Sequence, residues 1–258
     1  MTVADWLNPS PRSASDFPFE VTDLNETSRV PSSAELADLL KESYWGEGYL
    51  ADLAGKYRFD EVRDRFLKAR VGTQRAVKRG DFGEAITADY LKSVEGYHIP
   101  IQKLRYKIGP NQTLPGTDCI ALRLSNGALV EVLFVESKLR TSLDLSVAIA
   151  GTRQLKQDAD SEIPVILPFI ARRLSETSDP VTELFLSYLF GRNAVPECYL
   201  LMLLHEAKNW TERILENLED EEIEIEPLHV YVAKIANLKD LSDGAFSVMG
   251  AEVVGDDE

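Results

Sequence analysis

Asp118, Glu136 and Lys138 stand where strand geometry turns residue type into chemistry. Asp118 opens one apolar strand-like run, and Glu136 and Lys138 close the next, with Ser137 between them. Side chains alternate faces along a strand, so positions 136 and 138 share a face with Val130, Val132 and Phe134. A carboxylate and an ammonium at the end of such a run are costly to bury unpaired, so they lie at a sheet end, pair with one another, or serve a site. Asp118 and Glu136 offer hard oxygen ligands of the kind that Mg2+ (or Mn2+) takes while keeping several waters, and the backbone carbonyl of Ser137 adds another. An ion held there acidifies a bound water and neutralises charge at phosphorus. Lys138, as a point charge, is placed to orient or deprotonate the attacking water and to stabilise the transition state.

The set works only if Asp118 and Glu136 share a face, and the turn Ser125-Asn126-Gly127 decides that. With a three-residue loop, Leu124 faces Ala128, Asp118 faces Phe134, and Asp118 lies diagonal to Glu136 at roughly 7–8 Å. A two-residue Asn126-Gly127 loop sends Asp118 to the opposite face unless a bulge restores it. The site therefore requires the three-residue loop or a bulge. Cys119 should then point to the other sheet face, into the core.

The surrounding elements follow from periodicity. Residues 1 to about 31, rich in Ser, Pro, Asp and Thr, read as a loose arm. Leu36, Leu39, Leu40 and Tyr44 recur at helical spacing after Ser32-Ser33, and a short helix follows around Tyr49–Lys56. A third helix is expected from Asp60 into the Arg70s. Gly80-Asp81 breaks or bends the chain before a helix with Ala85, Ile86, Ala88, Tyr90 and Leu91. Strands are expected at His98–Ile108, Thr117–Leu124, Ala128–Ser137, Tyr199–Leu204 and Leu228–Ile235. Helices are expected from Thr141 to about Asp158, near Ile166–Leu174, near Pro180–Phe190, and at Trp210–Leu218 with Asn209 as its cap. The order implies an α/β fold with a mixed central sheet flanked by helices. It divides into an N-terminal arm and helical part (1–79), the main domain (80–249) and an acidic tail (250–258).

Basic residues gather near this block. Arg75, Lys78 and Arg79 precede the helix of Glu84; Lys103, Arg105 and Lys107 alternate along the expected strand and so share a face; Arg140 follows Lys138; Arg153 and Lys156 lie on the next helix with Gln154. These are the candidates for phosphate contacts, with an ordinary solvated face as the alternative. Asp81-x-x-Glu84 also has the form of a capping box, which gives Glu84 a structural alternative. The histidines, His98, His205 and His229, have no ligand spacing, and no phosphate-cradling glycine motif is present, so ATP hydrolysis is not expected.

Among 258 residues the net charge is −15, yet residues 55–157 hold 18 Lys and Arg against 11 Asp and Glu. So acidic a chain binds a polyanion poorly by itself, and the asymmetry suggests one face for nucleic acid and another for a partner. No apolar run reaches the ~20 residues of a membrane helix, and the N-terminus lacks the basic start and apolar core of a signal peptide, so the chain is expected in the cytosol. Cys119 and Cys198 are then free and buried.

Gly-Thr-Asp at 116–118 and Glu-Ser-Lys at 136–138 resemble the core of the PD-(D/E)XK nuclease superfamily, although Pro115 stands three positions before Asp118 instead of adjacent. The resemblance covers about residues 80–160. It implies an Mg2+-dependent deoxyribonuclease in which Glu84, in Phe-Gly-Glu, joins Asp118, Glu136 and Lys138, and in which the following helix supplies a glutamine, Gln154 or Gln157. The whole chain also resembles the nuclease subunits of the Hachiman anti-phage defence system. That resemblance implies a helicase subunit as partner and DNA delivered by it. The rivals are a non-catalytic subunit of the same fold that regulates a helicase, and a standalone restriction-type endonuclease, which the charge disfavours.

Overall fold

The computed structural model describes residues 2–12, 17–46, 48–57, 65, 68–112, 116–221 and 224–253. The expected helix from Asp60 lies largely outside these residues, as does Pro115.

Six strands form one mixed sheet in the order β1-β2-β6-β5-β4-β3. They are β1 (Leu7–Pro11), β2 (Glu20–Glu26), β3 (Cys119–Ser125), β4 (Ala128–Arg140), β5 (Glu197–Glu206) and β6 (Leu228–Ile235). The four central strands β2, β6, β5 and β4 run parallel to their neighbours, while β1 and β3 pair antiparallel at the two edges. The expected α/β class with a mixed sheet is thus what the chain adopts. The parallel strands β5 and β6 read as near-continuous apolar runs because both their faces are covered by helices.

The longer helices among the described residues are α1 (Ser33–Trp45), α2 (Tyr49–Lys56), α3 (Arg75–Ser93), α4 (Val147–Gln157), α5 (Ile163–Thr177), α6 (Thr182–Leu189), α7 (Arg213–Glu219) and α8 (Leu238–Val253). On one face α1, α3 and α8 pack over Leu133, Val135, Leu139, Met202 and Ala233. On the other, α4 and α7 cover Leu201, Leu203, Val230 and Val232, and α5 with α6 covers Ile120, Leu122, Val132 and Phe134. Strand alternation divides β4 between the two: 133, 135 and 139 on the first, 132 and 134 on the second. Ser32 caps α1, accepting the Glu35 N–H while Glu35 bonds back to Ser32.

Four expectations give way. The arm is not loose: Leu7–Pro11 and Glu20–Glu26 are strands of the sheet, because Leu7, Val21 and Leu24 bury fully while Pro9 and Pro11 sit on the free edge where no ladder donor is needed. Gly80-Asp81 does not break the helix. α3 starts at Arg75 and runs through, since a mid-helix glycine costs about 1 kcal/mol and burial of Phe82, Ile86, Tyr90 and Leu91 outweighs it. Asp81 is therefore no cap and Asp81-x-x-Glu84 no capping box. His98–Ile108 is not a strand: only His98 bridges to Leu122, and Lys103–Tyr106 forms a 3-10 turn. Pro100 interrupts any ladder there, and the lysines turn inward, Lys103 to the half-buried Asp118 and Lys107 to the buried Asp81. Asn209 does not cap α7, which begins at Arg213; its amide donates to the Thr141 carbonyl at 2.9 Å. The unforeseen helix α8 carries Leu238, Ala245, Phe246 and Met249 to the core beside α1. No helix among the described residues is long and apolar enough to cross a membrane.

Candidate active site

The hairpin between β3 and β4 sets the site. Its turn is two residues long, with Asn126 and Gly127 at positive φ (51° and 77°), and Ser125 pairs with Ala128. Positive φ at both central residues is the type I′ pattern that Asn-Gly favours. The register then steps between Arg123 and Leu124: Leu124 pairs with Leu129 but Arg123 with Glu131, which leaves Val130 as a bulge. From there the ladder runs to Cys119 opposite Val135, so its next position sets Asp118 against Glu136. The three-residue loop, and the pairing of Asp118 with Phe134, are corrected: Phe134 pairs with Ile120, and the bulge restores the common face. Val130 is 38% exposed and leaves the row formed by Val132 and Phe134.

Directly opposite residues of an antiparallel pair lie closer than the diagonal, and the contacts agree. The Ser137 N–H donates to Asp118 Oδ2 at 2.9 Å, and Lys138 Nζ sits 2.5 Å from Glu136 Oε1. Glu136 is 5% exposed; burial, then the charge of Asp118, push its carboxyl up to about 7 against the pull of Lys138. Across from it, α3 presents Glu84, also buried, whose carboxyl is held well above the ordinary range first by burial and then by Asp118. Cys119 points into the core on the other face. The four side chains Glu84, Asp118, Glu136 and Lys138 line one cleft of about 460 Å³, at the carboxyl end of β4, with Arg79 and Arg140 on its wall.

Among the described residues no three His, Cys, Asp or Glu side chains converge as a complete metal cluster. The donor set fits an ion that needs only one or two carboxylates and otherwise keeps water, which is the habit of Mg2+. The charge of Asp118 beside the buried Glu84 and Glu136, which raises the proton affinity of both, is the field that a divalent cation relieves.

Gly151 lets α4 approach this strand. A Cβ there would fall 2.4 Å from Leu201 Cδ1 and 3.3 Å from Lys138 Cγ, so any larger residue would have to displace the Leu201 side chain for α4 to lie this close to the lysine stem.

The basic candidates divide. Arg79 and Arg140 reach the cleft, Arg140 held by Asp144 at 2.8 Å. Arg75 is exposed at the start of α3, and Lys78 lies over the Phe246 ring. Lys103, Arg105 and Lys107 share no face. Lys103 turns to Asp118, 3.7 Å away; Arg105 packs beside Gly46 and donates to the Glu42 carbonyl; Lys107, 3% exposed, pairs with Asp81 at 2.7 Å. On α4, Arg153 and Lys156 pair with Glu221 and Asp160, and Gln154 donates to Asp158 at 2.8 Å.

Two site neighbours escaped the sequence. Asp158, 1% exposed, lies close enough to Asp118 and Lys103 to feel both charges; the i, i+4 spacing from Gln154 was its one signal. Asp81 read as punctuation but is a buried partner of Lys107 and of the Tyr44 hydroxyl.

A family model, HamA, matches residues 19–249, a span that includes every residue of the cleft. The chain belongs to the HamA family. Among characterised proteins it is similar to the Hachiman protein HamA of Bacillus cereus, 28% identical over 119 residues. That match covers 46% of this chain and 41% of the Bacillus protein, so less than half of either takes part in it. The HamA match begins at Phe19, just before β2, and ends at Met249 in α8, so the arm strand β2 and most of the late helix fall inside it.

Proposed function

We propose that this chain is the Mg2+-dependent, DNA-cleaving subunit of a Hachiman-type anti-phage defence system and works with that system's helicase subunit. One observation carries the reading: the bulge at Val130 brings Asp118 opposite Glu136, in one cleft with Lys138 and Glu84. Membership in HamA supports the defence setting. The charge supports a partner that holds DNA, because a chain of −15 repels a phosphate backbone.

Asp118 and Glu136, with the Ser137 carbonyl, are the groups that would hold the ion. When bound, Mg2+ supplies an acidified water and neutralises charge on the scissile phosphate. The residues do the rest. The Ser137 N–H fixes the Asp118 carboxylate in place. Lys138, whose stem runs beside Gly151 of α4, holds its ammonium beside Glu136, where it is placed to orient the attacking water and meet negative charge as it develops. Arg79 and Arg140 at the cleft wall are placed to take the flanking phosphates. Glu84, whose carboxyl burial and Asp118 hold well above the usual range, is placed to exchange a proton when charge in the cleft changes.

The test is Glu136→Ala with Lys138→Ala in the chain co-purified with its operon partner. Cleavage of linear and plasmid DNA in Mg2+ should fall by at least about a hundredfold while the complex stays assembled. Retained cleavage rejects the site. Equal cleavage by the isolated chain rejects the partner's role.

A further inference from the structure

Lys103 has no part in the function proposed above, yet it lines a small pocket together with Glu84 and Asp118 of the cleft. Its side chain is 10% exposed, its Nζ donates to the Gly116 carbonyl at 2.6 Å, and it lies 3.7 Å from Asp118 Oδ1. It is also within electrostatic reach of Glu84, Glu136 and Asp158. The turn that carries it, Lys103–Tyr106, is anchored four residues on by Lys107, buried against Asp81 of α3. A flexible ammonium on an anchored turn, bonded to one neutral carbonyl and only loosely to the carboxylate it faces, is a movable charge.

We propose that Lys103 is an internal counter-cation: its ammonium stands in for the divalent ion at Asp118 and must give way when the ion binds, so that it sets a threshold on metal loading. The inference rests on the metal-site reading of Asp118 and Glu136. Removing the charge leaves the carboxylates of the cleft with less compensation, so the chain should hold a divalent cation more tightly. A lysine that merely braced the Gly116 loop would act in the opposite sense, since its loss would loosen Asp118.

The probe is Mn2+, titrated calorimetrically into the full chain. Lys103→Gln retains an amide able to donate to the Gly116 carbonyl; it should bind Mn2+ roughly tenfold more tightly than wild type, a change of about 1.4 kcal/mol. Lys103→Arg, which keeps the charge, should bind within about twofold of wild type. Unchanged or weaker binding in Lys103→Gln overturns the proposal. A second measurement needs no variant: the labelling rate of Lys103 by an amine reagent, followed by mass spectrometry, should rise when Mn2+ is added. A fall or no change overturns the proposal equally. Failure of the underlying reading is recognised separately by Asp118→Asn: if that variant binds Mn2+ as wild type does, the ion is not at Asp118, and both the site and the role of Lys103 are rejected.

Discussion

Lys107→Met tests whether the site helix is held by the buried pair beneath it. Lys107 Nζ lies 2.7 and 2.9 Å from the two Asp81 oxygens, and both side chains are 1% exposed. Methionine matches the stem in length and removes only the ammonium, leaving a buried carboxyl with the Tyr44 hydroxyl as its remaining donor among the described residues. Breaking a buried pair from one side costs about 3–5 kcal/mol. At about 2–4 °C per kcal/mol for a domain of this size, the melting temperature should fall by roughly 6–20 °C. Proton linkage gives the loss a signature. Burial already raises the Asp81 carboxyl, with Lys107 and Tyr44 opposing the rise. A carboxyl raised in the folded state stabilises in its protonated form, fully so below the unfolded value near 3.9, and that contribution is lost as pH climbs through the raised value. Without Lys107 the rise is larger, so the deficit should be greatest at pH 8 and shrink toward pH 5. Urea unfolding followed by tryptophan fluorescence measures this, since Trp45 packs against Tyr44 at 5.0 Å. The double variant Asp81→Asn, Lys107→Met should regain at least half of the loss. A deficit below about 1 kcal/mol, equal losses at both pH values, or a double variant no better than the single would refute the argument.

Two further outcomes follow from the cleft. Gly151→Ala should cost about 1–3 kcal/mol, because its Cβ would sit 2.4 Å from Leu201 Cδ1; calorimetric melting checks it, and an unchanged melting temperature means α4 can slide outward freely. In chelator, the Glu136 carboxyl at about 7 contributes stability in its protonated form that is present below its ordinary value and lost as pH rises through about 7, so the metal-free chain should be more stable at pH 5.5 than at pH 8.5. Glu136→Gln should flatten that difference in denaturant titrations, and a slope unaltered by the substitution assigns it elsewhere.

Much of the fold was legible because burial imposes a period. β6 was read to its ends, β5 to within its span, and α1 from its apolar spacing, with the structure choosing Ser32 over Ser33 as the cap. The misreadings share one cause: local signals overruled by packing. Gly80 looks like a break, but α3 is enclosed on nearly all sides, and its apolar residues hold the helix through the glycine. Lys103, Arg105 and Lys107 look like a basic strand face, but two of the three amines are drawn inward to Asp118 and Asp81. The arm looks disordered by composition, although Leu7, Val21 and Leu24 were enough to seat two edge-side strands.

By itself the sequence determined which candidate site groups lie together on one strand. Strand parity makes Glu136 and Lys138 neighbours on one face whatever else happens, and an Asn-Gly turn makes β3 and β4 a hairpin. Whether Asp118 joins them was decided only in the tertiary structure. A two-residue turn alone would have turned Asp118 away, and a single bulged residue, Val130, turns it back. A bulge shifts the register by one residue, and neither strand parity nor the turn type specifies where along a hairpin it falls.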